Sequence, residues 1–230
     1  MIADVDIAAV GAALADRSRA AMLLALLGGE TLTAGDLARI AGRSPSGASA
    51  HLRALRDAGL VVTEEAGRNR FFRLANSEIA EALEMLARVA PRRPPRTLRQ
   101  SEAARAIKRA RTCYDHLAGE LGVGVTEALV ERRLLDPDDD SFRVTRAGRA
   151  WLSELGIEIA ALERQRRSFA RACLDWTERR PHLAGALGAA FADVFFTRGW
   201  VQRLPGGRAI MLTPRGSEWL AREFGLAPSR

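Results

Sequence analysis

The chain has 230 residues, 47% hydrophobic and 27% charged, which is enough for two compact domains with their own cores and excludes an intrinsically disordered chain. No stretch approaches the roughly 18 apolar residues of a membrane span, and Asp4, Asp6 and Asp16 stand where a secretion signal would be basic, so a cytoplasmic protein without a membrane partner is expected. Two cysteines are too few for a disulfide framework; the net charge of +7 suggests a polyanionic partner, although residues 1–90 hold ten Arg against eleven Asp and Glu while residues 91–112 hold eight Arg and Lys against Glu102 alone.

Apolar residues at helical spacing predict one helix over 5–14 and a second over 20–27, ended by Gly28-Gly29. Thr33 is placed to cap a short third helix, Ala34–Ile40, that buries Leu37 and stops near Gly42. The next stretch, 44–59, has Ser44 as a cap, Pro45 at the first helical position, Ala48, Leu52 and Leu55 on one face and a terminating Gly59. Its other face carries Ser44, Ser46, Gly47, Ser49, Ala50 and Arg53. These are short enough to let the backbone enter a major groove, with hydroxyls and a guanidinium in reach of base edges and phosphates. Two strand-like runs, 60–64 and 70–74, are joined by Glu65-Ala66-Gly67-Arg68-Asn69. Arg68 and Arg70, with Arg73 beside them, are expected to lay guanidinium groups on the flanking DNA backbone or minor groove. A further helix, Ser77–Val89, completes the unit.

Over residues 4–89 this pattern resembles the ArsR/SmtB family of winged-helix repressors. The resemblance is carried by Ser44-Pro45-Ser46, Ser49-Ala50-His51-Leu52, Leu55 and Ala58-Gly59-Leu60-Val61, then by Gly67-Arg68 and Phe72-Arg73-Leu74. It implies a homodimer built from the first and last helices, an imperfect inverted repeat of double-stranded DNA as partner, and repression. It also implies that His51 packs against the body of the motif. The family's metal sites are missing from their usual places: Thr33 to Ala38 holds no Cys, and Ser77 to Leu83 holds no His. Any sensing function is therefore expected in the remainder of the chain.

Pro91-Arg92-Arg93-Pro94-Pro95-Arg96 is incompatible with regular helix and reads as a linker, either plainly solvated or touching flanking phosphates. Beyond it, His116-Leu117-Ala118-Gly119-Glu120-Leu121-Gly122 recurs 66 residues later as His182-Leu183-Ala184-Gly185-Ala186-Leu187-Gly188. Val144-Thr145 to Trp151-Leu152 is answered by Leu212-Thr213 to Trp219-Leu220, each a capping Thr followed by a short helix that turns Trp and Leu inward. Each copy reads as helix, helix, two-stranded hairpin, helix, with hairpin tips at 136–140 and 205–207 and a long helix over 157–180 between the copies. Asp138, Asp139 and Asp140 repel phosphate, so the first of these hairpins is not expected to be a second DNA wing. The fold class is mainly α with small β-hairpins: a winged helix-turn-helix at 1–90, a linker at 91–96, and a duplicated effector-sensing domain of two winged-helix-like units at 97–230.

Both cysteines and two of the three histidines fall at the start of the copies, in Cys113-Tyr114-Asp115-His116 and Cys173-Leu174-Asp175, with His182 following. Placed on a helix, Cys113 and His116 would meet one point, and Cys173 with His182 would complete four donors of the kind zinc prefers. A soft metal, an oxidant-sensing thiol pair, haem or an organic effector fit the same residues, as does plain core packing; Asp115 and Asp175 are placed to pair with Arg111 and Arg171 on their own helices. Cys113 with His116 and Asp115 lacks the alignment and oxyanion donors of a nucleophilic enzyme, so no catalysis is expected. The function expected is a sequence-specific transcriptional regulator, modulated by an effector at the C-terminal domain or by metal or thiol chemistry there; an architectural DNA-binding protein is the alternative.

Overall fold

The computed structural model describes residues 5–67, 69–91, 94–95, 97–205 and 207–226. It divides into two compact units, the first comprising residues 1–89 with 205–208 and the second residues 90–204 with 209–230.

The first unit opens with α1 (Ile7–Leu14) and α2 (Arg17–Leu26). Helix α1 starts after Asp6, whose carboxylate accepts from the Ala9 N–H. Helix α2 begins three residues before its apolar run does, because the Asp16 carboxylate accepts from both the Ser18 and Arg19 N–H groups and satisfies two donors of the first turn. Strand β1 (Leu32–Thr33) leads into α3 (Ala34–Ile40), where Thr33 and Asp36 form a reciprocal capping box. Then follow α4 (Pro45–Asp57), β2 (Val61–Ala66), β3 (Asn69–Leu74) and α5 (Ser77–Val89). The three strands form an antiparallel sheet in the order β1-β3-β2, with Leu32 opposite Phe72 and Val61 opposite Leu74. Met22, Leu23, Leu26, Leu37, Leu55 and Leu74 are fully buried and fix the seat of α4.

The second unit contains α6 (Leu98–Arg109), β4 (Arg111–Cys113), β5 (His116–Ala118), α7 (Gly119–Glu131), β6 (Leu135–Asp138), β7 (Ser141–Val144) and α8 (Arg146–Glu154). It continues with α9 (Ile159–Glu163), β8 (Arg171–Leu174), β9 (Pro181–Ala184), α10 (Gly185–Thr197), β10 (Val201–Arg203), β11 (Ile210–Leu212) and α11 (Pro214–Phe224). Strands β6-β7-β8-β9 make one antiparallel sheet; β4-β5 and β10-β11 are separate hairpins. No helix among the described residues is long and apolar enough to cross a membrane.

The duplication is real, but its order differs from the expected one. Each copy is hairpin, helix, hairpin, helix: β4-β5-α7-β6-β7-α8 and β8-β9-α10-β10-β11-α11. Equivalent glycines make equivalent close approaches. A Cβ on Gly122 would lie 2.4 Å from the Leu117 carbonyl oxygen and one on Gly188 2.5 Å from that of Leu183. Gly148 and Gly216 likewise face the carbonyl oxygens of Leu134 and Trp200, at 2.0 and 2.1 Å. Thr145 and Thr213 cap α8 and α11 through the Gly148 and Gly216 N–H groups. The shared core gathers Leu117, Leu129, Phe142, Leu183, Phe191 and Phe195, and Trp200 stacks on Trp219 with ring centroids 3.9 Å apart.

Two helical expectations are corrected here. The segment 111–116 is a hairpin, in which Arg111, Thr112 and Cys113 are all buried and therefore lack the alternation that marks a half-exposed strand. The turn is closed by Tyr114 in the left-handed region, at φ 59°. The helix expected over 157–180 stops at Glu163: Arg164-Gln165-Arg166-Arg167 offers no apolar stripe, and Cys173 is drawn into pairing with β9. Pro181 opens β9, a place where a strand tolerates the missing N–H.

Candidate functional site

Helix α4 is anchored by Ala48, Leu52 and Leu55, which are buried, and this turns Ser46, Gly47, Ser49, Ala50 and Arg53 into solvent. Ser44 is exposed beside its first turn, accepting from the Gly47 N–H at 3.2 Å while its hydroxyl lies 3.2 Å from that of Ser46. Ser49 donates to the Pro45 carbonyl, which leaves its oxygen lone pairs outward. His51 is half-buried with Nδ1 3.4 Å from the Asp16 carboxylate, so it joins α4 to the capped start of α2.

Between α4 and the β2-β3 hairpin runs an open groove of about 600 Å³, lined by Ser49, Arg53, Arg56, Glu65, Arg70 and Phe72. Arg56 is an addition to the expected residues; its spacing of three from Arg53 on the exposed face of α4 was the available signal. Arg70 lies 3.4 Å from Glu65 and remains exposed. Arg73 pairs with Glu64 and donates to the carbonyls of Leu74 and Ala75, which makes it part of the hairpin's own framework. Arg68, and Arg92, Arg93 and Arg96 of the linker, lie outside the described residues.

In the second unit the hairpins bring together residues that the chain separates widely. Cys113 faces His116 across β4-β5, and Cys173 faces His182 across β8-β9, so each pair projects from one side of its hairpin. The six residues Asp175 to Arg180 are a longer turn in the second copy, which accounts for the late position of His182. All four side chains are buried, and one donor atom from each lies within 4.8 Å of the others. The sulfurs are 4.0 Å apart and the imidazole centroids 5.1 Å apart. Gly188 makes room for this: a Cβ there would come within 3.2 Å of the His116 Cβ.

Each histidine is backed by a carboxylate. His116 Nδ1 lies 3.2 Å from Asp115 Oδ1, and Asp115 in turn accepts from Arg167 at 2.5 Å. His182 Nδ1 lies 3.4 Å from Asp175 Oδ2. Asp175 accepts from Arg111 at 2.8 Å, from the Gly119 N–H at 2.8 Å and from the Thr177 hydroxyl at 2.7 Å. The ion pairs are thus not the local ones expected within single helices: Asp115 is bound by Arg167 from the segment that joins the copies, and Arg111 by Asp175 from the second copy. Burial opposes ionisation of Asp175, but the His182 ring, the Arg111 guanidinium, Thr177 and the Gly119 N–H outweigh it and hold the carboxyl well below its ordinary range. Burial also disfavours a charged His116, yet Asp115 and the neighbouring Cys173 sulfur raise its pKa. The Cys113 thiol, acting against burial and together with both imidazoles, pulls Cys173 far below the usual thiol range.

A helix-turn-helix domain family matches residues 14–64. The HTH-type transcriptional regulator YdfF of Bacillus subtilis is 42% identical over 211 residues, spanning 92% of this chain and 93% of its own length. The HTH-type transcriptional regulator CmtR of Mycobacterium tuberculosis is 43% identical over 83 residues, 36% of this chain and 70% of its own. Among solved structures, the cadmium metal-sensor CMTR from Mycobacterium tuberculosis is similar at 38% identity with a TM-score of 0.33, over 40% of this chain and 99% of that one. A homodimeric winged helix-turn-helix DNA-binding domain from Mycobacterium bovis, described as a possible ArsR-family transcriptional regulator, is similar at 29% identity with a TM-score of 0.33, over 39% of this chain and 89% of that one.

Proposed function

Because the chain belongs to the HTH-type transcriptional regulators, with an ArsR-type winged helix-turn-helix as its first unit, we propose that it works as a homodimeric repressor that seats two copies of α4 in an inverted-repeat operator. The observation that carries this reading is the composition of α4's exposed face, where the first turns offer only small side chains and Arg53 and Arg56 follow toward the end of the helix. Ser46, Gly47 and Ala50 permit close approach to base edges. Ser44 and Ser49 supply hydroxyls, and Arg53, Arg56 and Arg70 line a groove suited to the phosphates beside it.

Dimerisation is supported by apolar side chains on the first and last helices of the unit. Ile7 and Val10 on α1, and Met85, Leu86 and Val89 on α5, are exposed, and solvated apolar residues grouped in this way favour a protein partner. A twofold pair would present its α4 helices about 34 Å apart, one turn of duplex. The second unit is the effector-responsive part in this reading, its occupant altering operator affinity by favouring one spacing of the paired helices.

The test is a titration of full-length protein on duplexes from the region upstream of its own coding sequence, at two salt concentrations. Binding to an inverted repeat should weaken as salt rises, and Arg53→Glu should reduce affinity by roughly 10–100-fold while leaving the fold intact. Equal affinity for unrelated duplexes, or indifference to Arg53→Glu, would sink the reading and favour an architectural protein or a protein with no DNA partner.

A further inference from the structure

We propose that Cys113, His116, Cys173 and His182 form a closed four-coordinate site for a divalent transition metal, zinc by preference, that ties the two copies of the second unit together. The inference stands on that unit alone and does not depend on the DNA-binding reading.

The geometry comes first. In a tetrahedral zinc site with Zn–S near 2.3 Å and Zn–N near 2.0 Å, donors stand about 3.3–3.8 Å from one another. Here the sulfurs are 4.0 Å apart and all four donors fall within 4.8 Å, so closing around an ion needs movements of less than about 1 Å from each. Two cross-strand Cys–His pairs, one from each copy, supply two edges of the tetrahedron.

The second observation is the state of the imidazoles. His116 Nε2 and His182 Nε2 are buried and make no hydrogen bond among the described residues. Buried ring nitrogens without a partner are costly, and two in one place call for an explanation. The opposite nitrogen, Nδ1, is hydrogen-bonded to Asp115 in His116 and in His182 lies 3.4 Å from Asp175 Oδ2 without a hydrogen bond among the described residues. A carboxylate behind a histidine is the arrangement that turns the remaining nitrogen toward a metal and makes it a better donor.

The charges also close. A dication bound by two thiolates is neutral, each thiol giving up its proton as the sulfur–metal bond forms. Outside this core, Asp115 is matched by Arg167 and Asp175 by Arg111, so the buried assembly carries no net charge. Two sulfurs and two imidazole nitrogens select zinc or a similar ion over magnesium or calcium, which require oxygen. With four protein donors and no open position, the site is structural in kind and does not activate water.

Full-length protein purified without chelator should contain about one zinc per chain by elemental analysis. After exchange with cobalt(II) it should show thiolate-to-cobalt charge transfer and the strong visible bands of tetrahedral cobalt. Cys173→Ser and His182→Gln should abolish both signals, whereas Asp115→Asn should retain one metal with affinity lowered by roughly 10–100-fold. Reduced, zinc-supplied wild-type protein that keeps its circular dichroism but holds far less than one metal per chain would overturn the proposal. So would an intact mass lower by two hydrogens, the mark of a Cys113–Cys173 disulfide. If the Cys173 or His182 variants fail to fold, the cobalt spectrum of the wild type decides. Since every readout is made without DNA, failure here is distinct from failure of the regulator reading.

Discussion

The outer face of α4 and the core of the second unit divide the chain's chemistry in opposite ways. On that face and its cap the residues are ordinary, among them three serines, a glycine, an alanine and two arginines, and these face solvent. In the second unit the reactive types, two cysteines and two histidines, are all buried. Exposure therefore decides the class of partner as much as residue type does. A shallow polar helix face suits a large, flat, charged macromolecule, while a sealed cluster admits nothing larger than an ion or a few atoms.

The contrast predicts that the same kind of substitution will have very different consequences at buried and at exposed positions. The largest effect is expected for Asp175→Ala, which leaves the fully buried Arg111 guanidinium without its counter-ion. Breaking such a pair from one side costs about 3–5 kcal/mol, whereas Glu127→Ala, which removes the exposed partner of Arg180, should cost about 1 kcal/mol or less. Urea denaturation of both variants measures the gap, and equal losses would break the comparison.

Glycines come next. Gly148→Ala would drive a Cβ to 2.0 Å from the Leu134 carbonyl oxygen, a backbone clash expected to cost about 1–3 kcal/mol or more. Gly47→Ala on α4 meets only the Ser44 hydroxyl, at 3.3 Å. There the gain in helix propensity and the crowding of the cap nearly offset one another, so stability should change by about 1 kcal/mol or less. Thermal melts distinguish the two, and loss of operator binding by the stable Gly47→Ala protein would sharpen the contrast by separating fold from recognition.

The smallest effect tests an acid in the first unit. The Thr33 hydroxyl, then the Thr33 N–H and Arg39, hold Asp36 below its ordinary pKa of 3.8 despite some desolvation. Its folded-state pKa is depressed, so its contribution is fully present above about pH 4 and disappears as pH falls through the folded value. Asp36→Asn should therefore cost about 1 kcal/mol or less at neutral pH, and wild type and variant should converge below pH 3.8. A difference that persists unchanged into stronger acid would assign the effect to packing.

The winged helix-turn-helix was readable residue by residue: Ser44 and Pro45 mark the start of α4, Gly59 its end, Thr33 the start of α3, and the same residues resemble a known family of repressors. In the second unit the sequence showed the repeat, the Thr caps of α8 and α11 and the inward Trp219, yet it led to helices where β4-β5 and β8-β9 stand. A spacing of three, as between Cys113 and His116, brings two side chains together on a helix and equally across a tight hairpin. Nothing within that window distinguishes the two. Arg167 and Arg111 were not foreseen as the supports of Asp115 and Asp175, because each ion pair spans more than fifty residues of chain.

By itself the sequence determined the caps, turns and exposed polar face of the first unit, since those depend on hydrogen bonds and side-chain directions within about one helical turn. Only the tertiary structure decided that Cys113, His116, Cys173 and His182 converge, and that their hairpins are strands. That outcome depends on buried charges and sheet pairings contributed by both copies, and the energy of such distant contacts is not contained in any local stretch of residues.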